Sequence, residues 1–339
     1  MDSISKSFEH NEEEELSLQK TNQSFEEFLS RLPRQRGQTP RFDLCLYKGC
    51  WYRPFLLQGV IAAQHFEAQP TDIFLCSLPK SGTTWLKALA FTIVTRKKYS
   101  DLSSHPLLST RPHDCITFLE NANQTAELPL LATHIPYHSL PKSIISGGSK
   151  IVYIFRDPKD VFVSLWHFLR RATPKDATNI SLEEALELFC KGVSTYGPYW
   201  DHVLSFWKAR KEAPQLVLLL VYEEMRKDPL PSVKNLADFI GHPFSVEEEN
   251  EGALQKIVDL CSFENLSDLD VNKKEKQQTL SVVMNNKAFF RKGKIGDWRS
   301  HLTPDMAERL DQITREKFGG TDLPSYLSDA NTYGNWTMF

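Results

Sequence analysis

Three times along the chain a short apolar run is followed by a stretch with helical spacing, and this alternation limits the fold more than any other feature. Ile73-Phe-Leu-Cys-Ser77 lies between Pro70 and Pro79, and residues 85–95 then read as a helix. Lys150–Phe155 precedes a helical pattern over 161–169, and residues 216–222 precede helical sequence as far as Ile240, with Gly241 as its stop. Each run is apolar throughout instead of alternating, which suits a strand covered on both faces. Such strands, separated by helices, imply a parallel sheet with right-handed crossovers. The expected class is α/β: a single domain with a central parallel β-sheet flanked by helices.

Further helices should begin at the capping boxes Ser24 to Glu27, Ser181 to Glu184 and Ser245 to Glu248, and at Thr303 with Pro304 in the first turn. Residues 33–54 have no clean period and read as irregular chain laid over the core, where Trp51 and Tyr52 either pack or line a pocket. A polar stretch, 266–289, is too long for an ordinary connection and is expected to be functional or mobile. Residues 1–23, with Glu12 to Glu15 in a row, read as a disordered acidic tail, which leaves 24–339 as one domain.

The net charge of -3 gives no general attraction to nucleic acid or to an anionic membrane, so a polyanion must be met by a local basic site. Six cysteines without a CxxC pair argue against zinc and against a disulfide framework. Neither a signal peptide nor an apolar run of about 20 residues is present, so a cytoplasmic protein without membrane attachment is expected.

The turn after the first apolar run reads Pro79-Lys80-Ser81-Gly82-Thr83-Thr84-Trp85. Unpaired N–H groups and the positive dipole end at a helix start favour an anion, so this P-loop-like turn can hold a phosphate on Gly82, Thr83 and Thr84, with charge from Lys80 and a hydroxyl from Ser81. Taken alone, it could equally be a tight turn with an incidental lysine. It is not a Walker loop, because Lys80 precedes a single glycine where that motif places Lys after its second. An atypical kinase would also need a carboxylate site for Mg²⁺, and no convincing partner for one is apparent.

The string resembles the signature of the cytosolic sulfotransferases, particularly plant members, and the resemblance recurs at distant positions. Phe155-Arg-Asp-Pro-Lys-Asp-Val-Phe-Val-Ser164 is similar to the family segment whose Arg and Ser hold the 3'-phosphate of the nucleotide, here Arg156 and Ser164. Phe290-Arg-Lys-Gly-Lys-Ile-Gly-Asp-Trp298 is similar to the family's C-terminal signature, which maps that phosphate also to Arg291, Lys292 and Gly293. The resemblance further implies Trp85, Tyr222 and Phe263 near the adenine. It implies 3'-phosphoadenosine 5'-phosphosulfate as co-substrate, a small hydroxylated acceptor and no metal requirement.

His134, in Thr-His-Ile-Pro, matches the catalytic histidine of the family; with a pKa near 6.5 it would serve as general base at neutral pH. Lys80 would stabilise charge on the departing phosphate, and Ser164 would restrain Lys80 until acceptor arrives. An inactive nucleotide-binding module is the other alternative, against which Lys80, His134 and Ser164 all stand. Two departures matter. Ala132 replaces a lysine found in many animal members, and the segment 299–308 has Arg and Pro where the animal dimer motif has Lys and Val, so a monomer is expected. Pocket walls should come from Trp51 and Tyr52, residues 135–139, Trp166 with His167, and the stretch before Phe289. These suit a flat phenolic or terpenoid, and the resembling plant enzymes act on flavonols, brassinosteroids, hydroxyjasmonate or desulfoglucosinolates.

Overall fold

The computed structural model describes residues 23–38, 43–121, 128–172, 180–273, 277–279, 282–284 and 289–323. Residues 1–22 of the expected tail lie outside these. Residues 23–30 are helical, so Ser24 stands inside the helix and does not cap it.

The region read as irregular carries a small antiparallel sheet of β1 (Arg34–Arg36), β2 (Asp43–Tyr47) and β3 (Cys50–Tyr52). Lys48 and Gly49 join β2 to β3 with φ of 48° and 79°, the doubly left-handed geometry that a two-residue hairpin demands. Strands of three to five residues are too short to show a period, and Lys-Gly is a weaker turn signal than Asn-Gly. That is why the sequence pattern hid them.

The central sheet holds β4 (Ile73–Ser77), β5 (Leu130–Thr133), β6 (Lys150–Phe155) and β7 (Val217–Val221) in the order β5-β4-β6-β7, all parallel. Three of these strands follow the apolar runs, although Tyr222 opens the next helix instead of closing β7. β5 was not anticipated, since its four residues fall short of a recognisable pattern. The sheet is buried on both faces. Tyr153 and Phe155 face a core with Phe162, Trp200 and Phe206, whereas Val152 and Ile154 face one with Leu86, Leu89 and Leu236.

Ser181 and Ser245 make the expected reciprocal capping boxes, and the Thr303 hydroxyl accepts from the Met306 N–H to cap Pro304–Phe318. Gly241, at φ 85°, ends the helix Pro229–Phe239. The long polar stretch has structure of its own in the short helices Phe263–Asp268 and Asp270–Lys273 and in an antiparallel pair, β8 (Gln277–Thr279) with β9 (Val282–Met284). From β4 the chain goes to β5 on one side and then crosses back over β4 to β6 on the other. The carboxyl ends of these strands therefore flank a topological switch point, where open α/β sheets form their crevices.

Candidate active site

β4 runs straight into the phosphate-type loop, and the loop into the helix Thr83–Thr95. Lys80 has φ 73° and Gly82 φ 116°, and the Ser81 N–H between them donates to the Leu78 carbonyl at 3.2 Å; holding a lysine in the left-handed region costs about 1 kcal/mol. A Cβ on Gly82 would stand 2.9 Å from Ile154 Cδ1 and 3.0 Å from Tyr222 Cδ2, so no larger residue fits without displacing them. The hydroxyls of Ser77 and Thr83 share a hydrogen bond of 2.7 Å, which ties the strand end to the helix start. Lys80 Nζ lies 4.3 Å from the Phe168 ring centroid. Burial first, then the charges of Arg291, Arg156 and Arg171, push its pKa down to about 7.

A second basic group gathers beside this loop. Arg156, at the end of β6, stacks its guanidinium 4.4 Å over the Tyr222 ring and donates to the Lys294 carbonyl at 2.7 Å. Asp160, wholly buried, accepts from the N–H of Gly296 at 2.7 Å and of Trp298 at 3.1 Å and pairs with Arg156 at 3.1 Å. It thereby anchors the C-terminal basic turn to the helix Pro158–Ala172. In that turn Asp297 binds Arg291 and also Lys292, the latter at 2.7 Å, and the two cations hold its pKa near 2 despite burial. Gly293, at φ 61°, presents its carbonyl to the Tyr222 hydroxyl at 3.1 Å, and any Cβ there would overlap the Phe263 ring. Tyr222 meets Trp85 edge-on at 5.8 Å. Ser164 is buried on the Pro158–Ala172 helix, two turns beyond Arg156.

Four buried donors in this region, Ser81 Oγ, Trp85 Nε1, Arg156 Nε and Arg291 Nε, have no hydrogen-bond partner among the described residues. Orphaned buried donors are costly, and this number around one crevice fits a polyanionic ligand with a base-like ring. The residues present thus suit a nucleotide carrying phosphate at both ends.

His134 follows β5. Its Nδ1 lies 2.6 Å from the Ser77 carbonyl, which can only accept, so Nδ1 carries the proton and Nε2 keeps its lone pair. Burial first, with the nearby charges of Lys87 and Lys80, pushes its pKa down to about 4, opposed by the bond to Ser77. The ordinary value near 6.5 read from residue type is therefore corrected: the ring is neutral throughout the physiological range. The His134 N–H donates to Glu120 Oε1 at 3.1 Å, and His202 Nε2 lies 3.0 Å from the His134 carbonyl.

A continuous aromatic wall connects Lys80 to His134. Phe168 lies 5.8 Å from Phe289, Phe289 4.5 Å from His113, His113 5.8 Å from Phe118, and Phe118 5.1 Å from His134, which meets Tyr196 at 5.3 Å. Tyr52 and Ile135 are fully buried in the core, with Tyr52 packed behind Tyr196, so neither lines this wall. Phe289 does belong to the stretch anticipated as a wall. Asp160 and Asp297 lie inside the two signature segments, but as carboxylates they hold the basic groups and carry no phosphate-ligand signal of their own. His113, Phe118, Phe168 and Tyr196 carry no motif, and only the fold brings them together.

A family model described as a sulfotransferase domain matches residues 70–322. The chain is similar to Cytosolic sulfotransferase 16 of Arabidopsis thaliana, with 46% identity over 90% of this chain and 94% of that protein. It is also 48% identical to Flavonol 3-sulfotransferase of Flaveria bidentis, over 84% of this chain and 93% of the relative. Among solved structures, mouse sulfotransferase SULT7A1 complexed with PAP aligns with a TM-score of 0.65 and 29% identity, covering 83% of this chain and 96% of that one.

Proposed function

The chain belongs to the sulfotransferase family, and from that premise we propose that it moves the sulfuryl group of 3'-phosphoadenosine 5'-phosphosulfate to a hydroxyl of a small planar aromatic molecule, with His134 as general base. The observation that carries this reading is the placement of His134 Nε2, held with a free lone pair by the Ser77 carbonyl, at one end of an aromatic wall whose other end is Lys80. In the proposed site Ser81, Gly82, Thr83 and Thr84 hold the phosphosulfate end. Arg156, Ser164, Arg291, Lys292 and Gly293 hold the 3'-phosphate, and Trp85, Tyr222 and Phe263 enclose the adenine.

The acceptor oxygen forms a bond to sulfur as the bond from sulfur to the bridging phosphate oxygen breaks. His134 Nε2 takes the acceptor proton, and Lys80 meets the negative charge that develops on the departing phosphate. Neutrality of His134 at neutral pH keeps that nitrogen ready to accept. Ser164 stands on the helix that also presents Phe168 to Lys80, which supports a restraint on Lys80 before acceptor binds. No step needs a metal, and the enzyme is proposed to act in the cytosol, like the relatives named cytosolic, and as a monomer.

A flavonol is the first acceptor to try. The wall is aromatic along its length, and a relative 48% identical is named for that substrate. The test is a panel of flavonols, hydroxysteroids, hydroxyjasmonate and desulfoglucosinolates with radiolabelled sulfuryl donor. Transfer to flavonols at least tenfold above the other classes is expected; preference for a non-aromatic acceptor would overturn the assignment.

A further inference from the structure

Lys87 is wholly buried in the middle of the helix that starts at the phosphate-type loop. Its Nζ donates to the Ile116 carbonyl at 2.8 Å and lies 3.5 Å from the Phe118 ring centroid; among the described residues no carboxylate comes within ion-pair distance. An ammonium taken from water and given one carbonyl and one aromatic face is under-compensated, and a methionine of similar volume would fill the space without that cost. A fold that retains such a group invites a functional explanation.

The surroundings supply one. Phe118 pairs with Ala132 of β5 in an isolated bridge, two residues before His134, and its ring lies 5.1 Å from the His134 ring. Lys87 thus stands behind the ring against which the base rests. We propose that Lys87 is a positioning residue of the transfer step: its ammonium fixes Phe118 and the Ile116 segment against His134 and sets a positive charge behind that wall. The inference rests on His134 being the base.

The charged and titratable groups facing Lys87 come from three elements: Glu120 from the turn before β5, Asp114 and Cys115 from the helix Pro112–Cys115, and the His113 and His134 rings beside it. Burial pushes Lys87 down to about 7, with Glu120 and Asp114 opposing. Below that pH it is a cation, and a cation there disfavours protonation of His134. The effect is present over the acid range, where it protects the lone pair, and fades as Lys87 loses its proton at higher pH.

The test is Lys87→Met, with kcat and kcat/KM followed between pH 3.5 and 8, PAP binding measured by calorimetry, and the His134 ring titrated by NMR in the PAP complex. The expected result is a loss in kcat of about tenfold with PAP affinity within twofold of wild type. The His134 midpoint should rise by about one pH unit, carrying the acid limb of the rate with it. An unmoved midpoint in a variant that binds PAP normally would overturn the proposal. The ring titration does not depend on turnover, so it separates this failure from failure of His134 as base, which would show as activity retained in His134→Ala. If Lys87→Met loses PAP binding, Phe118→Leu decides: it should lower kcat about tenfold with PAP affinity kept, and unchanged kcat would refute the wall.

Discussion

Nucleotide binding should take up a proton on Lys80, and the structure sets its size. In the free protein, burial and three arginines hold Lys80 near pKa 7. A phosphosulfate or diphosphonucleoside brings negative charge against it and restores the ammonium toward its ordinary range near 10.4. The bound pKa is above the free one, so affinity is full below pH 7 and falls as pH rises, approaching tenfold per unit. At pH 8 only about a tenth of the free protein carries the Lys80 proton, so binding should take up about 0.9 proton, against about 0.1 at pH 6. The secondary ionisation of phosphate, near pH 6, is complete at pH 8 and does not contribute. Glu223, which burial first and then Asp157 push up to about 8, and Lys87, which burial pushes down to about 7, are other groups able to respond. Lys80→Arg isolates the lysine, because a guanidinium stays charged in both states while Glu223 is left in place. Calorimetry of PAP binding at pH 8 in two buffers of different ionisation heat reads the uptake directly. Equal uptake by wild type and Lys80→Arg would refute the assignment of Lys80 to the anion.

Three further changes probe the second basic group. Gly293→Ala should weaken PAP binding at least tenfold, because the Cβ overlaps Phe263 at a positive φ, while the melting temperature changes by only a few degrees. Asp160→Ala removes the acceptor of the Gly296 and Trp298 amides; a similar loss of PAP affinity is expected, together with faster amide exchange at those two positions. Ser164→Ala should raise donor hydrolysis in the absence of acceptor and weaken PAP binding, and a variant unchanged in both would remove Ser164 from the site.

Much of the fold was legible because it depends on apolar runs: β4, β6 and β7 each announce themselves by four or more consecutive apolar positions, and Ser181, Ser245 and Thr303 by local capping chemistry. β1 to β3 and β5 were not, since three to five residues contain no measurable period. The nucleotide side of the site was readable because its ligands sit in contiguous strings around Lys80, Arg156 and Arg291. The acceptor side was not, because His113, Phe118, Phe168 and Tyr196 come from separate segments that meet only through tertiary packing. The state of His134 was also out of reach: residue type predicts a pKa near 6.5, and only burial, with the charges of Lys87 and Lys80, shows why it lies near 4.

The central claim is that His134 removes the acceptor proton at a site that binds the nucleotide without its help. The most direct measurement is the yield of PAP and of sulfated flavonol by His134→Ala and by wild type under identical conditions, with PAP affinity determined for both. The account predicts equal amounts of the two products from wild type, a rate in His134→Ala lower by about 10² to 10⁴, and PAP affinity within threefold. Sulfated product formed by His134→Ala at more than a tenth of the wild-type rate would contradict it.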